Sequence, residues 1–198
     1  MKKILLLDGN VIPNEQSHLF NIMNYIETQY QNHSDFEVER HNLNNTKHAE
    51  IFLTANNMST YWNDIDSDMW INKLKEIDTL VISMPMINFG PSVIVKNFID
   101  SIAVANKTFS YKYSKKGDAI GLLTNLNVII VATQGAPEGW YLWGQHVEWL
   151  EGTFKFLGAQ SVKSIKHFGT KVKPLSDIAI EDTATSIKDK IDETLDLN

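Results

Sequence analysis

The chain has 198 residues, 43% of them hydrophobic and 21% charged, with a formal net charge of −6. That length suits one domain, residues 1–198, around a sizeable core, and the acidic balance without a Lys/Arg cluster argues against a nucleic-acid partner. No cysteine is present, which excludes disulfides, thiolate zinc sites and iron–sulfur clusters and suits a reducing, cytoplasmic setting.

Lys3 to Leu7 is apolar enough for a central strand. Asp8 and Asn10 interrupt the run too early for a signal peptide, and no apolar run approaches the ~18 residues of a membrane span. Residues 8–17 form a loop, and a helix begins near Ser17 with Leu19, Ile22, Met23, Ile26 and Tyr30 on one stripe. Phe36, Val38 and Arg40 alternate with Glu37 and Glu39, as in a half-buried edge strand. Residues 42–66 are polar and weakly periodic, a long excursion with short helices at most. Ser67 to Ile77 reads as a helix, with Ser67 as N-cap and Met69, Trp70, Leu74 and Ile77 inward.

Thr79 to Ser83 is a second buried strand, which Pro85 is expected to stop. Met86 to Gly90 follows as a loop, and Pro91 fits the first turn of a helix whose inner side is Ile94, Phe98, Ile102 and Ala105. Lys112 to Leu123 is a polar connection, a hairpin or a lid, with Lys115-Lys116 as a solvated turn. Asn127 to Thr133 is an apolar strand, residues 134–139 a loop, and Trp140, Tyr141 and Trp143 an aromatic cluster. His146 to Leu157 is a helix closed by Gly158, Ser161 to Phe168 the last strand, and Glu181 to Leu195 the last helix.

Strands alternating with helices imply an α/β fold, a doubly wound five-stranded parallel sheet of the flavodoxin-like order 2-1-3-4-5. In such sheets ligands bind at the carboxyl ends of the strands, where the order reverses. The loops 8–17, 84–91 and 133–144 should therefore meet at one crevice. The first ends at a helix N-terminus, a natural anion site, where Asn10, Gln16 and Ser17 can donate to a phosphate. Ser17 equally suits an N-cap, and Asp8 and Glu15 add unfavourable negative charge beside a phosphate. Asn88 suits a turn that caps its own backbone. The six histidines show no metal-ligand spacing; His33, His41 and His48 lie in polar surroundings. There is no phosphate-binding P-loop, dinucleotide fingerprint or nucleophile elbow.

Met84-Pro85-Met86-Ile87-Asn88-Phe89, then Lys96-Asn97-Phe98-Ile99-Asp100 and Thr108-Phe109-Ser110-Tyr111, resembles the flavin-contacting segment of the FMN-dependent NADH:quinone oxidoreductases, the azoreductases. Ile87 stands where that family usually has tyrosine. The resemblance implies an FMN enzyme that takes a hydride from NADH or NADPH and reduces quinones or azo compounds. It places Met86, Ile87, Asn88 and Phe89 along the isoalloxazine, whose reduction calls for nearby hydrogen-bond donors. Thr133-Gln134-Gly135-Ala136 resembles the family's Ser-Arg-Gly-Gly at the pyrimidine edge and ribityl chain, with Gln134 replacing an arginine and Ala136 a glycine. Ser17 retains the end of a Ser-x-Ser phosphate motif, and Tyr111 matches a residue that reaches toward the pocket. Phe109, Tyr111, Trp140, Tyr141 and Trp143 are expected to form a slot for a planar aromatic substrate, or in part to cover a homodimer interface. A second reading is a non-catalytic flavodoxin-like protein whose FMN binding is weakened by Asp8, Glu15 and Ala136.

Overall fold

The computed structural model describes residues 1–112, 119–195 and 197; the expected turn at Lys115-Lys116 lies outside the described residues. The long strands are β1 (Lys2–Asp8), β2 (Phe36–Asn42), β3 (Thr79–Ile87), β7 (Asn127–Gln134) and β8 (Ser161–Phe168). They form a parallel sheet in the order β2-β1-β3-β7-β8, the expected 2-1-3-4-5 when the long strands alone are counted. The short strands are β4 (Gly90–Pro91), which pairs antiparallel with β3, and the pair β5 (Phe109–Ser110) and β6 (Ile120–Gly121). The helices are α1 (His18–Gln31), α2 (Tyr61–Asp64), α3 (Ser67–Glu76), α4 (Val93–Ile102), α5 (His146–Leu157), α6 (Thr183–Ser186) and α7 (Lys188–Leu195).

Alternation along the strands divides the core into two layers. Leu5, Leu7, Leu80, Ile82, Val128 and Ile130 face α3, α4 and α5. Ile4, Leu6, Val81, Ile129, Val131 and Ile165 face α1 and α7. The inward stripe of α1 is the one its spacing predicts, and α5 ends on Gly158 at φ 102°, the left-handed cap expected there.

Several elements depart from the sequence reading, each for a local reason. Pro85 does not stop β3, which runs on to Ile87. The bond from Gly9 N–H to the Ser83 carbonyl shows which edge Ser83, and two residues on Pro85, present to β1. The β1 ladder ends at the Asp8–Ser83 pair, so the missing proline N–H falls where no partner remains. Pro91 belongs to β4, and α4 starts after Ser92. The α4 helix stops at Ile102, because Thr108 Oγ1 donates to the Ile102 carbonyl at 2.6 Å and accepts from Val104 N–H at 3.0 Å; Ala105 therefore lies outside the helix. Asp66, in the left-handed region, precedes α3, while Ser67 donates to the Ser101 carbonyl at 2.6 Å and Met69 is exposed. The expected last helix is broken at Ile187. Asn21 of α1 accepts from Ala184 N–H at 2.7 Å and donates to the Glu181 carbonyl at 3.1 Å, fixing the short turn of α6 instead.

The excursion 42–66 is better packed than its polarity implies. His48 is fully buried, with Nε2 2.9 Å from Ser101 Oγ and Nδ1 3.0 Å from Thr46 Oγ1. Trp70 and Phe98 meet its ring edge-on. Asn97 of α4 donates to the His48 and Ile51 carbonyls and accepts from Tyr61 Oη at 2.6 Å.

Burial pushes His48 down to about 4, and His167 to about 4, from an ordinary value of 6.5. Both stay neutral in the folded chain while the unfolded chain takes up protons below pH 6.5. Their stabilising contribution is therefore complete above that pH and is lost as pH falls toward 4. Urea unfolding should show a stability slope approaching ~1.4 kcal/mol per pH unit for each histidine between pH 6 and 4.5. His48→Gln should remove one such increment of slope, whatever it does to stability at pH 7.

Candidate functional site at the carboxyl ends of the strands

The loops after β1, β3 and β7 are tied to one another. Gly9 N–H donates to the Ser83 carbonyl at 3.1 Å, and Ser92 Oγ donates to the Gly9 carbonyl at 2.7 Å. Asn44 Nδ2 reaches the Asn10 carbonyl at 2.7 Å. Pro85 and Thr133 are register partners. The Phe89 ring lies 5.0 Å from Tyr141 and 5.7 Å from Trp143, and Gly144 backs onto Met86. The expected meeting of three loops at one edge is thus present.

The first loop is ordered around Ser17. Its hydroxyl, 2% exposed, accepts from Phe20 N–H at 3.1 Å and from Asn10 Nδ2 at 2.7 Å. The serine is an N-cap, and its own hydrogen is left over to donate. Asn10 gives its other amide hydrogen to the Ile12 carbonyl at 2.8 Å and accepts from Ile12 N–H at 3.2 Å; it holds the loop rather than reaching outward. Gln16 is exposed beside it. The first-turn N–H groups of α1 lie in the same place.

Asp8 does not present a bare charge here. Arg40 grips it with Nε to Oδ2 at 2.7 Å and Nη2 to Oδ1 at 3.0 Å, while Nη1 donates to Glu27 at 2.7 Å and Asn24 at 2.8 Å. Burial pulls the guanidinium down, and the Asp8 and Glu27 carboxylates more than offset that. The alternation of β2 marked Arg40 only as an edge residue. The usable signal was composition: Arg40 is the one arginine in the chain, the residue type suited to a buried forked ion pair.

The central loop is a two-residue hairpin turn. Ile87 pairs with Gly90, and between them Asn88 and Phe89 have φ 46° and 73°. Positive φ at both central residues is the type I′ pattern, for which Asn is suited and Phe is not. A left-handed Phe costs ~1–3 kcal/mol and is the kind of strain that collects at ligand sites. Asn88 makes no side-chain hydrogen bond among the described residues, so it does not cap its own turn. Ile87 and Phe89 are 38% and 44% exposed.

Thr133 and Gln134 belong to β7 rather than to the loop after it. Gln134 spends both amide hydrogens on its own loop, at the Ala136 and Pro137 carbonyls, 3.0 and 3.1 Å away. Gly135 and Ala136 follow, half-buried and buried. The aromatics divide by ring contact into two groups, Phe89 with Tyr141 and Trp143, and Phe109 with Tyr111 and Phe156; Trp140 and Trp143 are largely exposed. A groove of about 420 Å³ lies at the opposite edge of the sheet, between Lys2, Asp78, Asn127 and Ser161. It lacks the strained turn and the unpaired amide of the carboxyl edge, so the site is assigned to the latter. Among the described residues no group of three or more His, Asp or Glu could hold a metal ion, and no helix is long and apolar enough to cross a membrane.

A family model described as the flavodoxin-like fold matches residues 2–191. The chain is 53% identical over 178 residues to the FMN-dependent NADH:quinone oxidoreductase of Mycoplasmopsis synoviae, covering 89% of each chain. It is 41% identical over 194 residues to that of Mycoplasma mycoides subsp. mycoides, covering 98% of each. Among solved structures, an azoreductase from Bacillus anthracis superposes with TM-score 0.78 at 17% identity, over 98% of both chains. An FMN-dependent NADH-azoreductase from the same species, in complex with FMN, gives TM-score 0.76 at 17% identity, over 98% of this chain and 99% of that one. With the relatives as similar as this over nearly their whole length, the chain belongs to the flavodoxin-like family and, within it, to the FMN-dependent NADH:quinone oxidoreductases.

Proposed function

We propose that this protein is an FMN-dependent NADH oxidoreductase that reduces quinones or azo compounds by two-electron transfer. The single observation that carries the reading is the strained turn at Asn88 and Phe89, which sets an exposed amide, without a side-chain hydrogen bond among the described residues, at the carboxyl edge of the sheet. The residues present suit FMN. Ser17 keeps a hydroxyl hydrogen at the N-terminus of α1, where a phosphate gains from the helix dipole and free N–H groups. Asn88 and the turn's backbone offer neutral donors toward the isoalloxazine. Held by these residues, FMN would supply two-electron hydride chemistry between the nicotinamide and the acceptor.

The chain's own work is positioning. Gly9, Ser83 and Ser92 fix the first loop against the second. Asn10 fixes Ser17. The rings of Phe89, Tyr141 and Trp143 supply a flat apolar surface against which a second planar molecule can lie. No side chain need act as an acid on this reading; water or Tyr111 supplies the proton. Leu142, at 76% exposed, and Trp143, at 69%, lie on the same rim. A second copy of the chain covers them, giving a homodimer. The alternative of a relative that has lost FMN rested on Asp8, Glu15 and Ala136; the ion pair with Arg40 answers the first of these.

Purified protein, with FMN supplied, should show the absorbance of bound flavin and bleach on addition of NADH. A protein that leaves FMN free in equilibrium dialysis would sink the reading. Ser17→Asp should lower FMN affinity at least 100-fold by setting a carboxylate against the phosphate, with circular dichroism unchanged because aspartate also caps helices. Arg40→Met should lower FMN affinity about tenfold by baring Asp8, the scale of one charge at an effective dielectric of ~20. Asp8→Asn in the same chain should restore most of it; no restoration would mean that Arg40 acts only on the fold.

A further inference from the structure

The strand β7 loop carries no side-chain cation of its own, since Gln134 is neutral and turned inward. The chain places one there from elsewhere. The turn after β8 is stitched to the end of β7: Gly169 N–H donates to the Gln134 carbonyl at 3.0 Å, Thr170 N–H to the same oxygen at 3.2 Å, and Lys171 N–H to the Gly135 carbonyl at 2.9 Å. The Lys171 side chain then lies along the face of Gly135 where a side chain would stand. A Cβ built on Gly135 would lie 3.0 Å from Lys171 Cδ, 3.2 Å from Cγ and 3.5 Å from Cε. The ammonium is one bond beyond Cε, so it is held beside this loop. Lys171 is exposed, and its ammonium makes no ion pair or hydrogen bond among the described residues. Of the neighbouring cations, Lys173 pairs with Asp177 at 3.4 Å, and Lys166 with Glu138 and Glu148 at 2.8 and 2.9 Å.

We infer that Lys171 is the electrostatic partner of the pyrimidine edge of FMN, stabilising the reduced cofactor over the oxidised one. This rests on the FMN reading above. Hydride transfer moves one proton and two electrons from the dihydronicotinamide to the cofactor. The nicotinamide departs with a positive charge, and the cofactor gains one negative charge, spread over the N1–C2–O2 edge. A lysine ammonium beside that edge interacts more favourably after the transfer than before it, which is the differential interaction that raises a reduction potential. Its stem is laid over Gly135, and no carboxylate among the described residues pairs with its charge. It also separates two tasks. Gln134 closes its own loop, and the charge comes from a segment that can vary without disturbing β7.

The test compares wild type, Lys171→Met and Lys171→Arg. For each, the dissociation constants of oxidised FMN and of FMN reduced anaerobically with dithionite are measured, and the midpoint potential is read by equilibration with a reference dye. Lys171→Met should bind oxidised FMN within threefold of wild type and reduced FMN about tenfold more weakly. That ratio is a potential lower by about 30 mV for a two-electron couple. Lys171→Arg should lie near wild type. Equal loss of both forms would make Lys171 a phosphate or ribityl contact, and no loss of either would make it a bystander; each result overturns the inference while leaving the FMN reading in place. A wild-type chain that binds neither form overturns both.

Discussion

The site depends on one close approach, that of Gly9 to β3 and α4. Gly9 donates its N–H to the Ser83 carbonyl and also meets Ser83 Oγ at 3.1 Å, and its carbonyl accepts from Ser92 Oγ. A Cβ at this position would fall 2.1 Å from Val95 Cγ2 and 2.3 Å from the Ser83 carbonyl oxygen. Only a residue without a side chain lets the first loop leave the end of β1 and remain fastened to the start of α4. Because β1 ends here while β3 continues to Ile87, the sheet has a step at its carboxyl edge. The step sits where the strand order turns, with β2 on one side and β7 on the other, the place where such sheets bind ligands.

Charge at this edge is managed in pairs. Asp8 on β1 is answered by Arg40 on β2, whose remaining donors go to Glu27 and Asn24 on α1. The arginine therefore joins two strands and a helix at the base of the first loop. An Asp8 left alone, 7% exposed, would be a desolvated charge facing any anion placed at the N-terminus of α1. With Arg40 in place the Asp8 carboxylate is paired rather than bare, and the same guanidinium also holds Glu27.

The sheet order and the inward faces of α1 and α5 were legible from the sequence because they follow from period and burial, which a single strand or helix declares by itself. Ser17 as a cap and Gly158 as a terminator were legible for the same reason: each acts within a few residues of itself. What was missed depends on partners far along the chain. Pro85 sits inside a strand only because β1 has already stopped. His48 is buried only because Trp70, Phe98 and Ser101 arrive from α3 and α4. The last helix breaks at Ile187 because Asn21, more than 160 positions away, satisfies the backbone of α6. Of the site, the meeting of loops was legible from topology. The pairing of Asp8 with Arg40 and the inward turn of Gln134 were not, since hydrogen-bond direction is decided by neighbours that composition does not reveal.

The strain at Phe89 connects this architecture to its chemistry. A two-residue turn between β3 and β4 costs least with Asn-Gly, and the chain supplies Asn88 but then Phe89. The left-handed phenylalanine directs its ring against Tyr141 and Trp143 and so builds a flat wall from two separate loops. A glycine would relieve the backbone and remove that wall. The antiparallel pairing of Met86 with Pro91 and of Ile87 with Gly90 holds the strained turn in place from both sides. The stability given up at one residue is thus retained as a fixed aromatic surface.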